Sequence, residues 1–125
     1  MAENLRRSEI LRRKRDLDRV MRLGRKVSGV NLHLRYISQP ETDRSGAIPP
    51  RRIAFLLTRE VRGAVARNRL KRRLREIYRR NKDWFPAGFD YLLLARGQAA
   101  NLSFAALSDE TEMLARRVQD DGPVA

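Results

Sequence analysis

Apolar residues near the start of the chain recur with a helical period. Leu17, Val20 and Met21 are spaced by three and four positions, and Gly24 stands where a helix would end. This pattern predicts a short first helix. Residues 1–14 are polar and basic and have no repeating apolar face, so they predict an N-terminal arm that is either mobile or docks locally.

Further along the chain the period changes to two, which is typical of strands. In "GVNLHLRYIS" the apolar residues alternate with polar ones from Val30 onward, so we expect a strand with one face on a core. After a loop rich in turn formers, "RRIAFLLT" predicts a second strand, interpreted as an antiparallel partner of the first. The stretch "FDYLLLAR" is nearly all apolar and predicts a central strand buried on both faces.

Between the last two strands, "VARNRLKRRLREIYRRNK" predicts a helix with two different sides. At about 100° per residue, Leu70, Leu74 and Ile77 fall on one narrow stripe, which we expect to face the core. The residues opposite this stripe are Asn68, Arg72, Arg75 and Arg79, with Lys71 on one edge and Arg69, Arg73 and Arg80 on the other.

The chain after this helix predicts a turn, a strand and a last helix. Trp84 and Phe85 stand beside turn-forming residues and are better explained by packing of a turn on the core than by contact with a base. Ser103 can cap the last helix, in which four apolar residues share one side: Phe104, Leu107, Leu114 and Val118.

The length and charge of the chain narrow the possible partners. A chain of 125 residues suits one domain, so we expect an arm (1–14), a single domain (15–119) and a tail (120–125). The net charge of +13 makes nucleic acid the leading partner class. A membrane partner is disfavoured, because no apolar run is long enough to cross a bilayer.

Several kinds of chemistry are disfavoured by the residues present. The chain has no cysteine and a single histidine, His33, which excludes a thiolate zinc site and leaves little for nitrogen ligation of a metal. The acidic residues do not converge in the way that a two-metal nuclease requires. The basic N-terminus has no apolar segment typical of a signal peptide, so we expect a cytoplasmic protein.

The arginine-rich side of the basic helix has two possible explanations. Charge runs are usually solvated helix faces, since arginine is a good helix former. Here, however, the charge is one-sided, consists mostly of arginine, and contains only one acid, Glu76. Arginine binds phosphate with two parallel hydrogen bonds, so we favour nucleic-acid binding over a solvated face. The spacing alone does not distinguish DNA from RNA.

The stretch "GAVARNRLKRRLREIY" resembles the Arg-Asn-Arg helix of the protein subunit of bacterial ribonuclease P, with Arg67, Asn68 and Arg69 as the motif. The resemblance extends over most of the chain, from "LRRKRDLDRVMRLGRKV" to "FDYLLLARGQAANLSFAAL". It implies an α/β (α+β) two-layer sandwich with the order α-β-β-β-α-β-α. It also implies a mostly antiparallel sheet and a left-handed βαβ crossover, which is rare.

The same resemblance implies a noncatalytic protein that assists a catalytic RNA. The RNA subunit would remove the 5′ leader from precursor tRNA with bound magnesium (Mg²⁺), and no ion would be held by this chain alone. The chain would bind the catalytic RNA and the leader, and no protein partner is implied. The resemblance places six residues against the catalytic RNA: Arg67, Asn68, Arg69, Lys71, Arg72 and Arg75. The helical projection adds Arg73, Arg79 and Arg80 to the expected RNA-binding residues.

The expected leader cleft departs from the pattern of similar proteins. Their first helix carries phenylalanines where this chain has Leu17 and Met21, which belong either to the core or to the cleft, and Arg35 replaces a frequent aromatic. Leader contact would then depend on Arg35 and Arg59, with phosphate or cation–π contacts in place of stacking. His33, on the polar side of its strand, is the remaining residue that we expect in the leader cleft.

Two other functions are compatible with part of this pattern. A structural or ribosomal-type RNA-binding protein would share the basic helix but take no part in cleavage. A protein-only nuclease would cleave without the RNA subunit.

Overall fold

The computed structural model describes residues 7–40 and 51–121. Its main helices and strands follow one another in the order that the resemblance implies. The elements are α1 (Lys14–Leu23), β1 (Arg25–Ser28), β2 (Leu32–Ser38), β3 (Arg51–Leu57), α2 (Ala64–Arg80), β4 (Phe89–Ala95) and α3 (Phe104–Asp121). Short 3₁₀ helices lie at Arg7–Glu9, Lys82–Trp84 and Gly97–Asn101.

The four strands form one sheet in the order β1-β2-β4-β3. β1 pairs with β2, and β2 with β4, in antiparallel fashion, whereas β3 and β4 are parallel, with Ile53 opposite Tyr91. The predicted mixed α/β class and mostly antiparallel sheet are confirmed. The expectation that β3 is the antiparallel partner of β2 is wrong, because β4, which is apolar on both faces, lies between them. The handedness of the β3–α2–β4 crossover stays a prediction.

The alternation that predicted the first strand placed its start too early. Val30 is 81% exposed and lies in the turn between β1 and β2, and the strand begins at Leu32. β1 was missed by the pattern, because a four-residue edge strand with a single buried side chain, Val27, is too short to show an alternation.

That turn is fastened to the last helix by a long-range contact. The Glu110 carboxylate accepts hydrogen bonds from the backbone N–H of Asn31 (2.8 Å) and Leu32 (2.7 Å). A Cβ at Gly29 would lie 2.4 Å from the same carboxylate, so a side chain there would displace the Glu110 carboxylate. Glu110 thus positions the β1–β2 hairpin from α3.

The main core lies between one face of the sheet and helices α2 and α3. Leu70, Leu74 and Ile77 are at most 2% exposed, which confirms the predicted core stripe of α2. The Ser103 hydroxyl accepts a hydrogen bond from the Ala106 N–H (3.1 Å), which confirms the predicted cap of α3. The predicted apolar side of α3 is buried or half-buried at Phe104, Leu107, Leu114 and Val118.

Aromatic side chains fill the centre of this core. Phe85 is fully buried and makes edge-to-face contacts with Tyr78 (5.1 Å between ring centroids) and Tyr91 (5.2 Å). Trp84 is half-buried against the same cluster. The interpretation of Trp84 and Phe85 as a turn packed on the core is therefore confirmed. Burial raises the pKa of the Tyr91 phenol, so this side chain stays neutral.

α1 covers part of the opposite face of the sheet. Val20 is fully buried there and forms a second apolar cluster with Leu11, Ala54 and Leu92. Gly24 ends the helix as predicted, and its backbone N–H bonds to the Val20 carbonyl. The sheet therefore has helices α2 and α3 on one face and α1 on part of the other.

A buried ion-pair network joins α1 to the sheet. Asp90, on β4, is 1% exposed and accepts two hydrogen bonds from the Arg52 guanidinium, at 2.9 and 2.7 Å. Arg19 of α1 lies 3.8 Å from the same carboxylate and donates to the Ser38 carbonyl at 2.7 Å. The position of α1 on the sheet is thus set by charge as well as by apolar contact.

The part of the predicted arm that the structure describes lies along the free edge of β3. The Leu11 N–H donates to the Ile53 carbonyl (2.8 Å), and Leu11 is 3% exposed. Glu9 forms an ion pair with Lys82 (2.8 Å). Residues 1–6 and 122–125 lie outside the described residues, and the division into arm, domain and tail stays a prediction.

Candidate nucleic-acid interface

Helix α2 presents a continuous basic surface on the side opposite its buried stripe. The helix begins after Gly63, whose φ of +90° is unfavourable for residues with a side chain. Asn68, Arg72 and Arg75 are exposed, as the helical projection predicted. We call this surface the arginine face, and its members are Asn68, Arg69, Lys71, Arg72, Arg73, Arg75, Arg79 and Arg80. Because the helix is anchored by buried leucines, the face is presented on a rigid support.

Two arginines of the predicted set also contact the protein. Arg67 is half-buried and donates through Nη1 to the backbone carbonyls of Thr58 (3.0 Å) and Val61 (2.9 Å). Arg73 donates through Nη1 to the Leu102 carbonyl (3.1 Å), just before α3. The structure thus separates Arg67 from the arginine face, since it holds the turn before α2 in place. The RNA-binding role of these residues stays a prediction.

Glu76 lies within the arginine face and is shared by two arginines. Its carboxylate accepts hydrogen bonds from Arg79 Nε (2.9 Å) and Arg80 Nε (2.8 Å). The hydrogen bond from Arg79, together with that from Arg80, lowers the pKa of Glu76 to about 2, and the pKa of Arg79 is raised in turn. The Arg80 guanidinium also lies 5.7 Å from the centre of the Phe104 ring. Both arginines are thereby held in defined positions along the helix.

An open cleft runs beside the arginine face and has a volume of about 620 Å³. We call it the arginine cleft, and its lining residues are Arg7, Ile10, Arg12, Arg72, Arg75, Glu76 and Arg79. Arg7 and Arg12 come from the N-terminal segment and were not among the predicted site residues. The apolar pair Ile10 and Leu11 within a basic stretch was the available signal that this segment docks on the domain.

The predicted leader residues lie mostly on the other face of the sheet, beside α1. Arg35 donates through Nη1 to the Met21 carbonyl (3.3 Å), so the structure brings these two together. Met21 is 42% exposed, whereas Leu17 packs at the margin of the second apolar cluster. Leu17 therefore packs partly against the core and Met21 lies at the surface, and the part of either residue in leader binding stays a prediction. Arg59 is exposed in the turn after β3.

His33 occupies a basic part of the same face. Burial lowers its pKa first, and the nearby charges of Lys26, Arg96 and Arg35 lower it further, while Glu110 acts in the opposite direction. Lys26 lies directly opposite Arg35 in the strand register. Like charges in such pairs repel each other, so this arrangement favours a bound anion. Lys26 and Arg96 were missed in the sequence because strand pairing, not spacing, brings them here.

The acidic residues do not form a metal site in the part of the chain that the structure describes. No group of three or more His, Cys, Asp or Glu side chains there could hold a metal ion. Asp90, Glu110 and Glu76 accept hydrogen bonds from protein donors instead. Within 7–40 and 51–121, none of the helices has the length and apolar character needed to cross a membrane.

The fold and this surface define a small, strongly basic α/β protein of the nucleic-acid-binding class. A protein-family model described as Ribonuclease P matches residues 5–119. The chain therefore belongs to the ribonuclease P family, which confirms the resemblance of its Arg-Asn-Arg helix. This places it with the protein components of an endoribonuclease holoenzyme.

Individual relatives agree with the family match. The chain is 39% identical over 108 residues to the ribonuclease P protein component of Acidothermus cellulolyticus, covering 86% of each chain. It is 33% identical to that of Syntrophobacter fumaroxidans, covering 93% of this chain and 91% of the relative. Among solved structures, the ribonuclease P protein of Thermotoga maritima superposes with a TM-score of 0.71 at 26% identity, covering 86% of this chain and 96% of that one. A structural or ribosomal-type RNA-binding role is not favoured by these matches.

Proposed function

We propose that this chain is the noncatalytic protein component of ribonuclease P, which binds the catalytic RNA through the arginine face and assists removal of the 5′ leader from precursor tRNA. The observation that carries the proposal is the one-sided helix α2, in a chain that the family model matches over residues 5–119. Its apolar stripe is buried and its opposite side exposes Asn68, Arg72 and Arg75.

The chemistry of the arginine face is positioning. Guanidinium groups donate paired hydrogen bonds to phosphate oxygens and neutralise their charge, so RNA strands that would repel one another can lie close together. The Asn68 amide can both donate and accept, which suits a ribose hydroxyl or a base edge. Since α2 is anchored by its buried side, the face changes little in shape when RNA binds, and less binding energy is lost to ordering.

Magnesium in this proposal is bound by the RNA subunit, where it supplies the activation of water. The described acidic residues of this chain do not form a site that fits the ion. The chain contributes by neutralising phosphates around the RNA, which lets the RNA bind its substrate and its ions more tightly. The compartment that suits this role is the cytoplasm.

The 5′ leader of precursor tRNA is assigned to the sheet face beside α1. Support comes from the clustering of Lys26, His33, Arg35 and Arg96, and from the exposed Met21 beside them. Arg35 and Lys26 would contact leader phosphates, and Met21 would contact a base or ribose. Arg59, exposed in the turn after β3, stays a candidate for contact with the 5′ leader.

A cleavage assay tests the role of the chain. Precursor tRNA is incubated with the chain alone, with a bacterial ribonuclease P RNA alone, and with both together. The proposal expects no cleavage by the chain alone and faster cleavage by both than by the RNA alone. Equal rates with and without the chain would indicate an RNA-binding protein with no part in cleavage. Cleavage by the chain alone would indicate a protein-only nuclease.

A binding measurement tests the assignment of the arginine face. Arg72→Ala combined with Arg75→Ala should weaken binding to the catalytic RNA at least tenfold, because two phosphate contacts are lost. Arg116→Ala with Arg117→Ala removes the same charge from exposed positions on α3 and serves as the matched control. An equal loss of affinity in both double variants would show that only net charge matters.

A further inference from the structure

The arginine cleft has two walls that come from distant parts of the chain. One wall is the arginine face of α2, with Arg72, Arg75 and Arg79. The other is the N-terminal segment, which contributes Arg7 and Arg12. A volume of about 620 Å³ lies in the range typical of ligand sites. The cleft is thus an open groove with a basic wall on each side.

Both walls are fixed on the same framework. Ile10 forms an isolated parallel bridge with Ile53, and the Leu11 N–H donates to the Ile53 carbonyl at 2.8 Å. The Glu9 carboxylate lies 2.8 Å from Lys82 Nζ, just after α2. The segment is therefore tied both to β3 and to the chain that follows α2, so the distance between the walls is set before any ligand binds.

The described residues around the cleft do not balance its charge. Among the described residues, Arg7, Arg12, Arg72 and Arg75 have no carboxylate within ion-pair distance. Glu76, the single acid among the described residues of the lining, is already shared by Arg79 and Arg80. Arginines that stabilise the fold have protein acceptors instead, as Arg52 has the Asp90 carboxylate and Arg67 has the Thr58 and Val61 carbonyls. The unpaired arginines instead indicate an anion supplied from outside.

The lining also indicates which part of a nucleic acid would enter. Aromatic side chains are absent from the described residues that line the cleft, so bases have no stacking partner there. Guanidinium groups on both sides suit phosphates, which carry no sequence information. A sugar-phosphate strand lying between the walls would satisfy both sets of donors.

We propose that the arginine cleft binds one sugar-phosphate strand of the catalytic RNA, with Arg7 and Arg12 contacting it from the side opposite the arginines of α2. The inference rests on the proposed function, because it extends the same RNA-binding surface. It adds two residues and a second wall to that surface, and it assigns a binding role to the N-terminal segment.

A double-mutant cycle tests whether both walls grip the same strand. Arg12→Ala, Arg75→Ala and the combined variant are titrated with a transcribed bacterial ribonuclease P RNA. Each single change should weaken binding about tenfold, and the combined loss should be clearly smaller than the product of the two. A combined loss equal to that product would mean that Arg12 contacts a separate strand of the RNA, and it would overturn the proposal.

Controls separate this inference from the proposed function. Arg25→Ala removes one exposed arginine from β1, at the opposite edge of the sheet, and should leave affinity within about twofold of the unchanged chain. Arg12→Lys keeps the charge but not the paired donors, so it should give an intermediate loss. If Arg75→Ala weakens binding and Arg7→Ala with Arg12→Ala does not, the cleft is not used, although the proposed function stands. If neither weakens binding, both proposals fail.

Discussion

Asp90 is a buried carboxylate that joins helix α1 and strands β3 and β4. It is 1% exposed and holds Arg52, which is itself only 14% exposed, by two hydrogen bonds. Asp90→Ala should lower the free energy of unfolding by about 3 to 5 kcal/mol, because it leaves a buried guanidinium without its main partner. Urea unfolding measures the change.

A surface ion pair provides the comparison for that prediction. Glu112 and Arg116 form an i,i+4 pair on α3 with side chains 33% and 58% exposed. Glu112→Ala should change the free energy of unfolding by less than about 0.5 kcal/mol. Equal effects of the two substitutions would show that the Asp90 network is not a buried ion pair in solution.

Glu76 should make stability depend on pH in acid. Its pKa is lowered from 4.5 to about 2 in the folded protein by the hydrogen bonds from Arg79 and Arg80. The ionised carboxylate therefore favours the folded state above pH 4.5, and this contribution is lost as the pH falls towards 2. Urea midpoints measured across this range should fall less for Glu76→Gln than for the unchanged chain. Identical pH profiles would contradict the prediction.

At the residue scale, the sequence predicted the direction of side chains correctly where the regular geometry of a helix determines it. Asn68, Arg72 and Arg75 were placed correctly because a regular helix fixes their direction. The contacts of Arg67 and Glu110 within the protein were not predicted, because their partners lie outside the helices that carry them. Glu110 bonds to a turn 79 positions away in the chain, a contact that no local pattern can indicate.

At the element scale, the buried side of α2 stabilises the fold and its exposed side is assigned to RNA binding. Leu74 is fully buried, so Leu74→Ala should lower the free energy of unfolding by about 2 to 5 kcal/mol. Arg72→Ala should change it by less than about 0.5 kcal/mol, since this side chain is exposed. Thermal and urea unfolding of the two variants measure the difference.

RNA titrations complete that comparison. Arg72→Ala should weaken RNA binding, whereas any folded fraction of the Leu74→Ala chain should bind RNA normally. A stability loss in Arg72→Ala as large as that in Leu74→Ala would mean that the two sides of the helix had been assigned wrongly.

For the strands, the sequence predicted burial but not pairing. β4 was recognised as central because it is apolar on both faces, a property that its own residues carry. The neighbour of β3 was not recognised, since pairing depends on how α2 returns the chain to the sheet. β1 has too few residues to show a period. The family resemblance implied three strands before α2, whereas the alternation of apolar and polar residues indicated only two.

For the whole molecule, the net charge of +13 should govern RNA affinity. If about six phosphates are neutralised, the logarithm of the binding constant should fall with the logarithm of salt concentration with a slope of roughly −4 to −5. Titrations with catalytic RNA at several NaCl concentrations measure it. The double variant Arg72→Ala and Arg75→Ala should reduce the magnitude of the slope by about 1.5.

A slope near zero would remove the electrostatic basis of the proposed function. A steep slope that the double variant leaves unchanged would keep electrostatic binding but move it away from the arginine face. Arg116→Ala with Arg117→Ala controls for the general effect of two lost charges.

Residues 7–11 have a consequence for self-association. β3 is the last strand of its sheet, and an uncovered strand edge offers free backbone donors and acceptors to another copy of the chain. The Leu11 N–H occupies the Ile53 carbonyl at that edge. At the other edge, β1 is short and carries Arg25 and Lys26. The segment that flanks the arginine cleft therefore also protects the RNA-free protein from aggregation through its sheet.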